Sequence, residues 1–402
     1  MQVFSGLLRL LFPLTLMVIL ELQVFQLVER LSNELAGTMQ SWGTWIYYSI
    51  PLLALIPVLI RRLNNQIPIF ASFSRTILVG FLLSHFLMMP FLILASLLEL
   101  LGWGSGSVRF WFDVIAFGFG SLIFLLLVLG TWRNRYNYRV HRVDVPIKNL
   151  PAGLQNFKIV QISDIHSGSF SAGHQIEKGI KLINNEKADL ICFTGDLVNS
   201  KAIEIEPYIP IFRALKARFG IYSILGNHDY GDYTYWPDRE AKAANFRRLL
   251  ENHASMGWKL LRNQHQHIQV GDAQLTIVGV ENYSASGRFH RYGDLAEATK
   301  NLHESHVQVL LSHDPSHWED QVIPDYPAID LTLSGHTHGF QFGFEWSKKI
   351  RWSPAKWAYK QWAGLYREGQ QFLYVNRGFG FLGYHGRVGI LPEITVLQLI
   401  PA

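Results

Sequence analysis

Phe157-Lys158-Ile159-Val160-Gln161-Ile162-Ser163-Asp164-Ile165-His166 is a short apolar run that ends in a carboxylate and an imidazole two residues apart. Its length and its β-branched content read as a strand. The same figure recurs down the chain. Ala188–Phe193 runs into Gly195-Asp196, Gly220–Leu225 into Gly226-Asn227-His228-Asp229, Val307–Leu311 into His313, and Ile329–Leu333 into Gly335-His336-Thr337-His338. Segments of helical periodicity at Gln175–Asn185, Ile205–Lys216 and Arg239–His253 separate the first runs. Strands alternating with helices indicate an α/β layer structure. Further strands are expected at Gln274–Val280, Phe372–Val375 and Ile394–Leu399, and this strand-rich closing third implies a second sheet packed on the first. Ligands of open α/β sheets bind at the carboxyl ends of strands. Strand ends that each deliver Asp, His or Asn to one edge have the geometry of a metal cluster.

The composition of the 402-residue chain is unevenly distributed. Up to about Leu129 it is dominated by Leu, Ile, Val, Phe and Trp, and after Trp132 it becomes an ordinary globular mixture with nearly all the histidines. The formal charge of +5 is mild; nucleic-acid binding would need a dense basic face, so no nucleic-acid partner is expected. The one cysteine, Cys192, excludes an intrachain disulfide and a cysteine-based zinc site. It sits within an apolar run, as a small buried strand residue would.

A helix needs roughly 20 mostly apolar residues to cross the hydrocarbon core. Four segments qualify: Leu7–Val28, Trp42–Ile60, Thr76–Leu98 and Phe110–Leu129. Trp42, Trp45, Trp103, Trp111 and Trp132 fall near segment ends, where amphipathic rings favour the interface. A cleaved leader is the rival reading of the first segment, but the later spans would still hold the chain in the bilayer. Arg61, Arg62 and Arg75 after the second span, and Arg133, Arg135, Arg139 and Arg142 after the fourth, lie on the same side. The positive-inside rule makes that side cytoplasmic. The expected organisation is an all-α transmembrane domain of about four helices over 1–132, a basic juxtamembrane linker over 133–155 and an α/β domain over 156–402. Glu21, His85 and Asp113 are ionisable groups within or near the spans, with packing or interfacial roles favoured.

Taken singly, Asp-x-His or His-x-His is common. In this order and all after strands, the motifs resemble the calcineurin-like metallophosphoesterase superfamily from about Asn156 to the C-terminus, and within it the bacterial membrane-associated phosphoesterases. The resemblance implies a four-layer α/β sandwich, two packed mixed β-sheets flanked by helices, with a dinuclear site at one edge. It implies that Asp164, His166 and His338 hold one metal, that Asn227, His313 and His336 hold the other, and that Asp196 bridges them. Carboxylate, imidazole and amide oxygen suit two divalent ions of the Mn, Fe, Zn or Co type, with manganese favoured. Such a pair activates a bridging hydroxide for in-line attack on phosphorus. His228, beside the ligand Asn227, is implied as the catalytic proton donor or phosphate-stabilising group. In the phosphoprotein phosphatase branch an Asp three residues after the bridging Asp supports that histidine; here the position is Asn199, and a neutral partner would not raise the imidazole pKa as a carboxylate does. Arg377 and Arg387 are candidates for binding a non-transferred phosphate.

Between Phe344 and Arg367 the sequence interleaves Trp346, Trp352, Trp357, Tyr359, Trp362 and Tyr366 with Lys348, Lys349, Arg351, Lys356 and Lys360. This mixture suits the headgroup region of a bilayer, single-stranded nucleic acid, or simple packing. A membrane-facing rim following His338 favours a phosphorylated, lipid-linked substrate. Similar family members hydrolyse UDP-diacylglucosamine and others act on phospholipids. The alternatives are a phosphoesterase for soluble substrates and a catalytically silent membrane receptor or scaffold.

Overall fold

The structure, a computed structural model, describes residues 22–31, 47–50, 53, 68–103, 106–171, 173–303, 305–347 and 350–402. It divides into two compact units, Met1–Trp132 and Arg133–Ala402.

In the second unit, two six-stranded mixed sheets form the centre of the fold. The first has the order β1-β14-β2-β3-β4-β5: β1 is Arg139–Ile147, β2 Lys158–Ile162, β3 Leu190–Phe193, β4 Ile221–Ser223, β5 Lys259–Leu260 and β14 Glu393–Pro401. The second has the order β12-β13-β9-β8-β7-β6: β6 is Gln264–Val270, β7 Ala273–Gly279, β8 Val307–Leu311, β9 Leu331–Ser334, β12 Gly364–Glu368 and β13 Gln371–Val375. A detached two-stranded ribbon pairs β10, Phe344–Glu345, with β11, Arg351–Trp352. Strands β2 to β5 run parallel, as do β13, β9, β8 and β7.

Alternation along the central strands explains the layering. In β3, Leu190 and Cys192 enter the core between the sheets, whereas Ile191 and Phe193 face helices Gly173–Asn185 and Arg239–Ser255 with Ile176, Ile180, Ile183 and Leu249. Across the gap, Val307, Val309 and Leu311 of β8 join the inter-sheet core, and Leu310 packs outward with Trp318 and Val322. With both faces buried, these strands read as nearly unbroken apolar runs rather than as alternating ones.

Two segments differ from the sequence expectation. The stretch expected as a basic linker contributes β1, paired in parallel with β14. Its Val145 and Ile147 enter the inter-sheet core, while Arg142 turns outward to Glu186. The helix expected at Ile205–Lys216 is a pair of single turns, Glu206–Tyr208 and Ile209–Phe212. Pro207 and Pro210 account for this, since each removes a backbone donor and clashes with the preceding turn.

In the first unit, helices Pro68–Leu100 and Gly106–Leu129 cover the third and fourth expected spans. Two stretches, Gly80–Leu100 and Gly106–Asn134, are long and apolar enough to cross a membrane. The first two expected spans, and Glu21 with them, lie largely outside the described residues. Val24, Leu27, Met88, Leu92 and Ala116 form the interior, and Leu97, Leu100, Trp111, Leu122 and Leu125 are exposed. Asp113 is buried with Arg30 at 2.6 Å and Arg109 at 3.3 Å. His85 meets the Phe81 carbonyl at 2.6 Å and the Tyr47 hydroxyl at 3.2 Å. Both groups are held by partners from the same helical unit.

Leu397 is fully buried between the sheets. Leu397→Ala is expected to lower the unfolding free energy of the second unit by about 2–5 kcal/mol. Denaturant unfolding followed by near-UV circular dichroism reads this, and an unchanged midpoint would contradict the inter-sheet placement.

Candidate metal centre

Asp164 and His166 follow β2, Asp196 follows β3, Asn227 and His228 follow β4, His313 follows β8, and His336 and His338 follow β9. Each sheet therefore sends its carboxyl-end loops to the same seam. Asp164, His166, Asp196, His336 and His338 have φ of 51°, 46°, 61°, 70° and 52°. Left-handed backbone at a side-chain-bearing residue costs of order 1–3 kcal/mol and persists only where the surroundings over-determine it. Here they do. Asp164 N–H donates to the Gly195 carbonyl at 2.9 Å, His166 N–H to the Asp196 carbonyl at 3.1 Å, and Gly335 N–H to the His313 carbonyl at 2.9 Å. His336 N–H reaches the Asp164 carboxylate at 3.0 Å, linking the two sheets.

Asp229, quoted above within its motif but without a role, organises the loops from beneath. Its buried carboxylate accepts the backbone N–H groups of Asp196, Leu197, Val198 and Gly226 at 2.8–3.2 Å. Gly335 is required by close approach: a Cβ there would collide with the Ser163 hydroxyl and the Asp164 carboxylate.

The side chains gather into two groups, Asp164 with His166 and His338, and Asp196 with His313 and His336. Within each, the potential ligand atoms lie within 4.8 Å of one another. Asp196 also joins the groups, with Oδ2 3.1 Å from His313 Nε2 and 3.5 Å from His166 Nε2. His166 Nε2 and His338 Nε2 stand 3.0 Å apart, and His336 Nδ1 and His313 Nε2 3.2 Å apart. These contacts bring several potential ligand atoms around one point in each group, as a shared cation would use them.

Asn227 supplies an independent test of fit. Its Nδ2 donates to the Tyr233 hydroxyl at 2.9 Å, while Oδ1 is buried with no hydrogen-bond partner among the described residues. A buried acceptor left unpaired costs about 1–3 kcal/mol, and a hard cation would satisfy it. His313 has its Nδ1–H turned to the Thr194 carbonyl at 2.7 Å, which leaves Nε2 as the ligand atom. Burial lowers His166 to about 3 and lowers His336, so both are neutral and able to coordinate. For His313 burial acts the same way, but the Asp196 carboxylate outweighs it and raises the group to about 10. Burial opposes ionisation of Asp164, yet neighbouring His338 holds its carboxyl below the usual range.

His228 lines a cavity of about 460 Å³ together with His166, Asp196, Asn227, His336 and His338. Its Nδ1 meets the main-chain carbonyl of Asn199 at 2.8 Å, so Nδ1 carries a proton and Nε2 is the free nitrogen. The Asn199 side chain instead donates to Ser169 Oγ at 3.1 Å. Position 199 thus still supplies His228 with a partner, through its backbone rather than its side chain. Sequence reasoning also missed Tyr359, whose hydroxyl lies 2.8 Å from His336 Nε2. Its separation from His338 along the chain carried no signal; only the fold brings it back.

Neither arginine suggested for the non-transferred phosphate lines the cavity. Arg387 is fully buried and donates to the carbonyls of Arg377, Gly378 and Gly380 at 2.5–3.1 Å, with Nη2 3.4 Å from His338 Nδ1. Arg377 is committed to Glu393 and Glu345, each at 2.6 Å. Arg387 thus holds the loop behind His338 and Arg377 ties two carboxylates together, instead of facing the cavity as the sequence suggested.

Paired acid–imidazole groups at one edge of a two-sheet sandwich form a candidate metal centre. The calcineurin-like phosphoesterase family matches residues 157–340. The metallophosphoesterase YkuE of Bacillus subtilis is 32% identical over 254 residues, 62% of this chain and 81% of that one. Cj0846 of Campylobacter jejuni, also named a metallophosphoesterase, is 32% identical over 262 residues, covering 65% and 63%. A Bos taurus protein named "transmembrane protein with metallophosphoesterase domain" is 29% identical over 290 residues, covering 69% and 61%. The chain belongs to the calcineurin-like phosphoesterase family. It spans somewhat less than two thirds of the length of the latter two relatives.

Because His313 is raised to about 10, it holds a proton near neutral pH when no cation is present, and a bound ion must expel it. Uptake of divalent ions is therefore expected to release protons, and apparent affinity to rise with pH up to that value. Titration calorimetry in buffers of different ionisation enthalpy measures the release. Buffer-independent heats would contradict it.

Proposed function

We propose that the protein hydrolyses a phosphodiester or pyrophosphate bond in a membrane-lipid or lipid-linked substrate, using two divalent ions, with manganese favoured. The observation that carries the reading is the pair of buried groups, Asp164/His166/His338 and Asp196/His313/His336, meeting at one cavity. Asp164, His166 and His338 would hold one ion, His313, His336 and Asn227 the other, and Asp196 both. Bound there, such ions supply Lewis acidity and a hydroxide nucleophile near neutral pH.

The chain's own groups supply the rest. The Thr194 carbonyl orients His313, and Tyr359 orients His336 from the cavity side. Tyr233 fixes the Asn227 amide so that its oxygen, rather than its nitrogen, is presented. His228, held through Nδ1, offers Nε2 to the leaving group: as imidazolium it donates a proton there, and as neutral imidazole it can only accept one. The buried carboxylates and closely spaced imidazoles limit water in the site to the cavity.

The lipid-directed part of the reading is supported by the two membrane-length helices in the same chain and by the "transmembrane" name of the bovine relative. In this reading the chain is a multi-pass membrane protein with its catalytic domain on the cytoplasmic side, and the bilayer and a phosphorylated lipid are its partners.

Full-length protein in detergent, loaded with manganese, is expected to hydrolyse bis-p-nitrophenyl phosphate. Asp196→Ala should lose both metal, read by elemental analysis, and turnover. His228→Gln should keep the metal and slow turnover by about 10²–10⁴-fold. Metal-loaded wild type without hydrolysis would establish the silent-scaffold alternative. A clear preference for water-soluble diesters over lipid-linked ones would remove the lipid assignment alone.

A further inference from the structure

The segment after His338 is built in two parts with opposite surroundings. Its root is anchored: Trp362, Ala355 and Ala363 are buried with Ile390, and Thr337 Oγ1 donates to the Trp362 carbonyl at 2.7 Å. Ser353 Oγ donates to the Gly339 carbonyl at 2.6 Å, and Tyr359 reaches His336. The tip is the β10–β11 ribbon with the turn that follows, and the ribbon pairs with neither six-stranded sheet. On it Trp346 is 83% exposed, Trp357 78%, Ile350 54% and Phe344 42%.

Single exposed apolar residues are ordinary; a contiguous cluster is not. The tip rings pack chiefly on one another, with centroid separations of 5.6 Å for Phe344–Trp346, 6.2 Å for Phe344–Trp352 and 5.7 Å for Trp352–Trp357. The stretch from Trp346 to Gln361 carries Lys348, Lys349, Arg351, Lys356 and Lys360 and no acidic residue. Lys360 pairs with Glu319, and Arg351 lies over Trp362 and Tyr366, but Lys356 has no ion-pair partner among the described residues.

We infer that this tip is a docking surface for an anionic lipid bilayer. The inference rests on the lipid-directed reading above and assigns it a surface. Indole rings settle at the headgroup level, and lysines nearby are drawn to anionic headgroups. A bilayer is also the partner that the membrane-length helices of this chain supply at high local concentration. The root ties the docked tip to the chemistry, because Phe340, itself 47% exposed, and Tyr359 line the cavity with His336 and His338. Docking brings that cavity wall to the headgroup layer, where a lipid-linked phosphate resides.

The only cysteine, Cys192, is fully buried, and burial pushes its thiol up, so introduced cysteines can be labelled selectively. Full-length Trp346→Cys, Trp357→Cys and, as a control at the opposite end of the strands, Arg218→Cys are labelled with bimane in nanodiscs. Labels at 346 and 357 are expected to shift to shorter wavelength and to be quenched by lipid-borne nitroxide, more strongly with phosphatidylglycerol than with phosphatidylcholine alone. The label at 218 should respond only to aqueous iodide. Iodide-only quenching at 346 and 357, or a shift that follows protein concentration and reports a second copy instead, would overturn the assignment. In parallel, the Trp346→Ser/Trp357→Ser double variant should hydrolyse bis-p-nitrophenyl phosphate as wild type does while losing about tenfold or more on a bilayer-embedded phosphodiester. Equal losses on both substrates would also overturn it. Wild type inactive on every ester would defeat the phosphoesterase reading instead, with the labels still reporting docking.

Discussion

Two imidazole nitrogens 3.0 Å apart, with a pair of carboxylates close by and almost no solvent, are an arrangement that a protein interior resists. Removing charges from water costs several kcal/mol per ion unless they are compensated. Much of the second unit is explicable as what holds this arrangement in place. The ligand loops adopt left-handed backbone because only that turn sends the side chain back over the strand end. Hydrogen bonds from Gly195, the Asp196 carbonyl, Thr194 and Asp229 then leave them no cheaper conformation. Cations bound there would compensate the buried carboxylates and take up imidazole lone pairs, so a metal would serve the fold as much as the chemistry.

The constraint also sets how the sheets meet. Gln161 on β2 donates to the Ser334 carbonyl of β9 at 2.8 Å and to Thr194 Oγ1 at 3.1 Å, a polar crossing at the edge of an otherwise apolar inter-sheet core. The apolar interior supplies the stability, but it is indifferent to small sliding of one sheet on the other. Directional bonds at the seam are not. Arg387 extends the same logic to the loop that closes the fold: its guanidinium gathers several carbonyls behind His338, so a side chain that looked suited to phosphate instead acts as a clip.

The candidate site was legible because its residues obey a local rule, a polar residue immediately after an apolar strand; Asp229 obeys it too, but nothing in the sequence distinguished its role beneath the loops. Central strands were legible for the same reason, since burial on both faces leaves an unmistakable apolar run. Edge strands were not. β1 carries Arg142 and Asp144 on its outward side and starts with the exposed Arg139, and that charge masks the alternation of Val143, Val145 and Ile147. Tyr359 escaped, and Arg387 was noticed but given another role, for a different reason: each acts through a contact that exists only after the chain returns to the seam. The Trp-rich segment shows the limit most clearly, because composition treats its indoles alike whereas the fold buries Trp362 and exposes Trp346 and Trp357.

His228 links the cavity back to the backbone that frames it. The Asn199 carbonyl at 2.8 Å fixes the ring and its Nδ1 proton. Glu204 lies close behind, but it is turned to the backbone N–H groups of Asn199 and Lys201 at 2.6 and 3.1 Å, so its charge reaches the ring only through space. The ring is thus held from the main chain on one side, with Nε2 left toward the cavity.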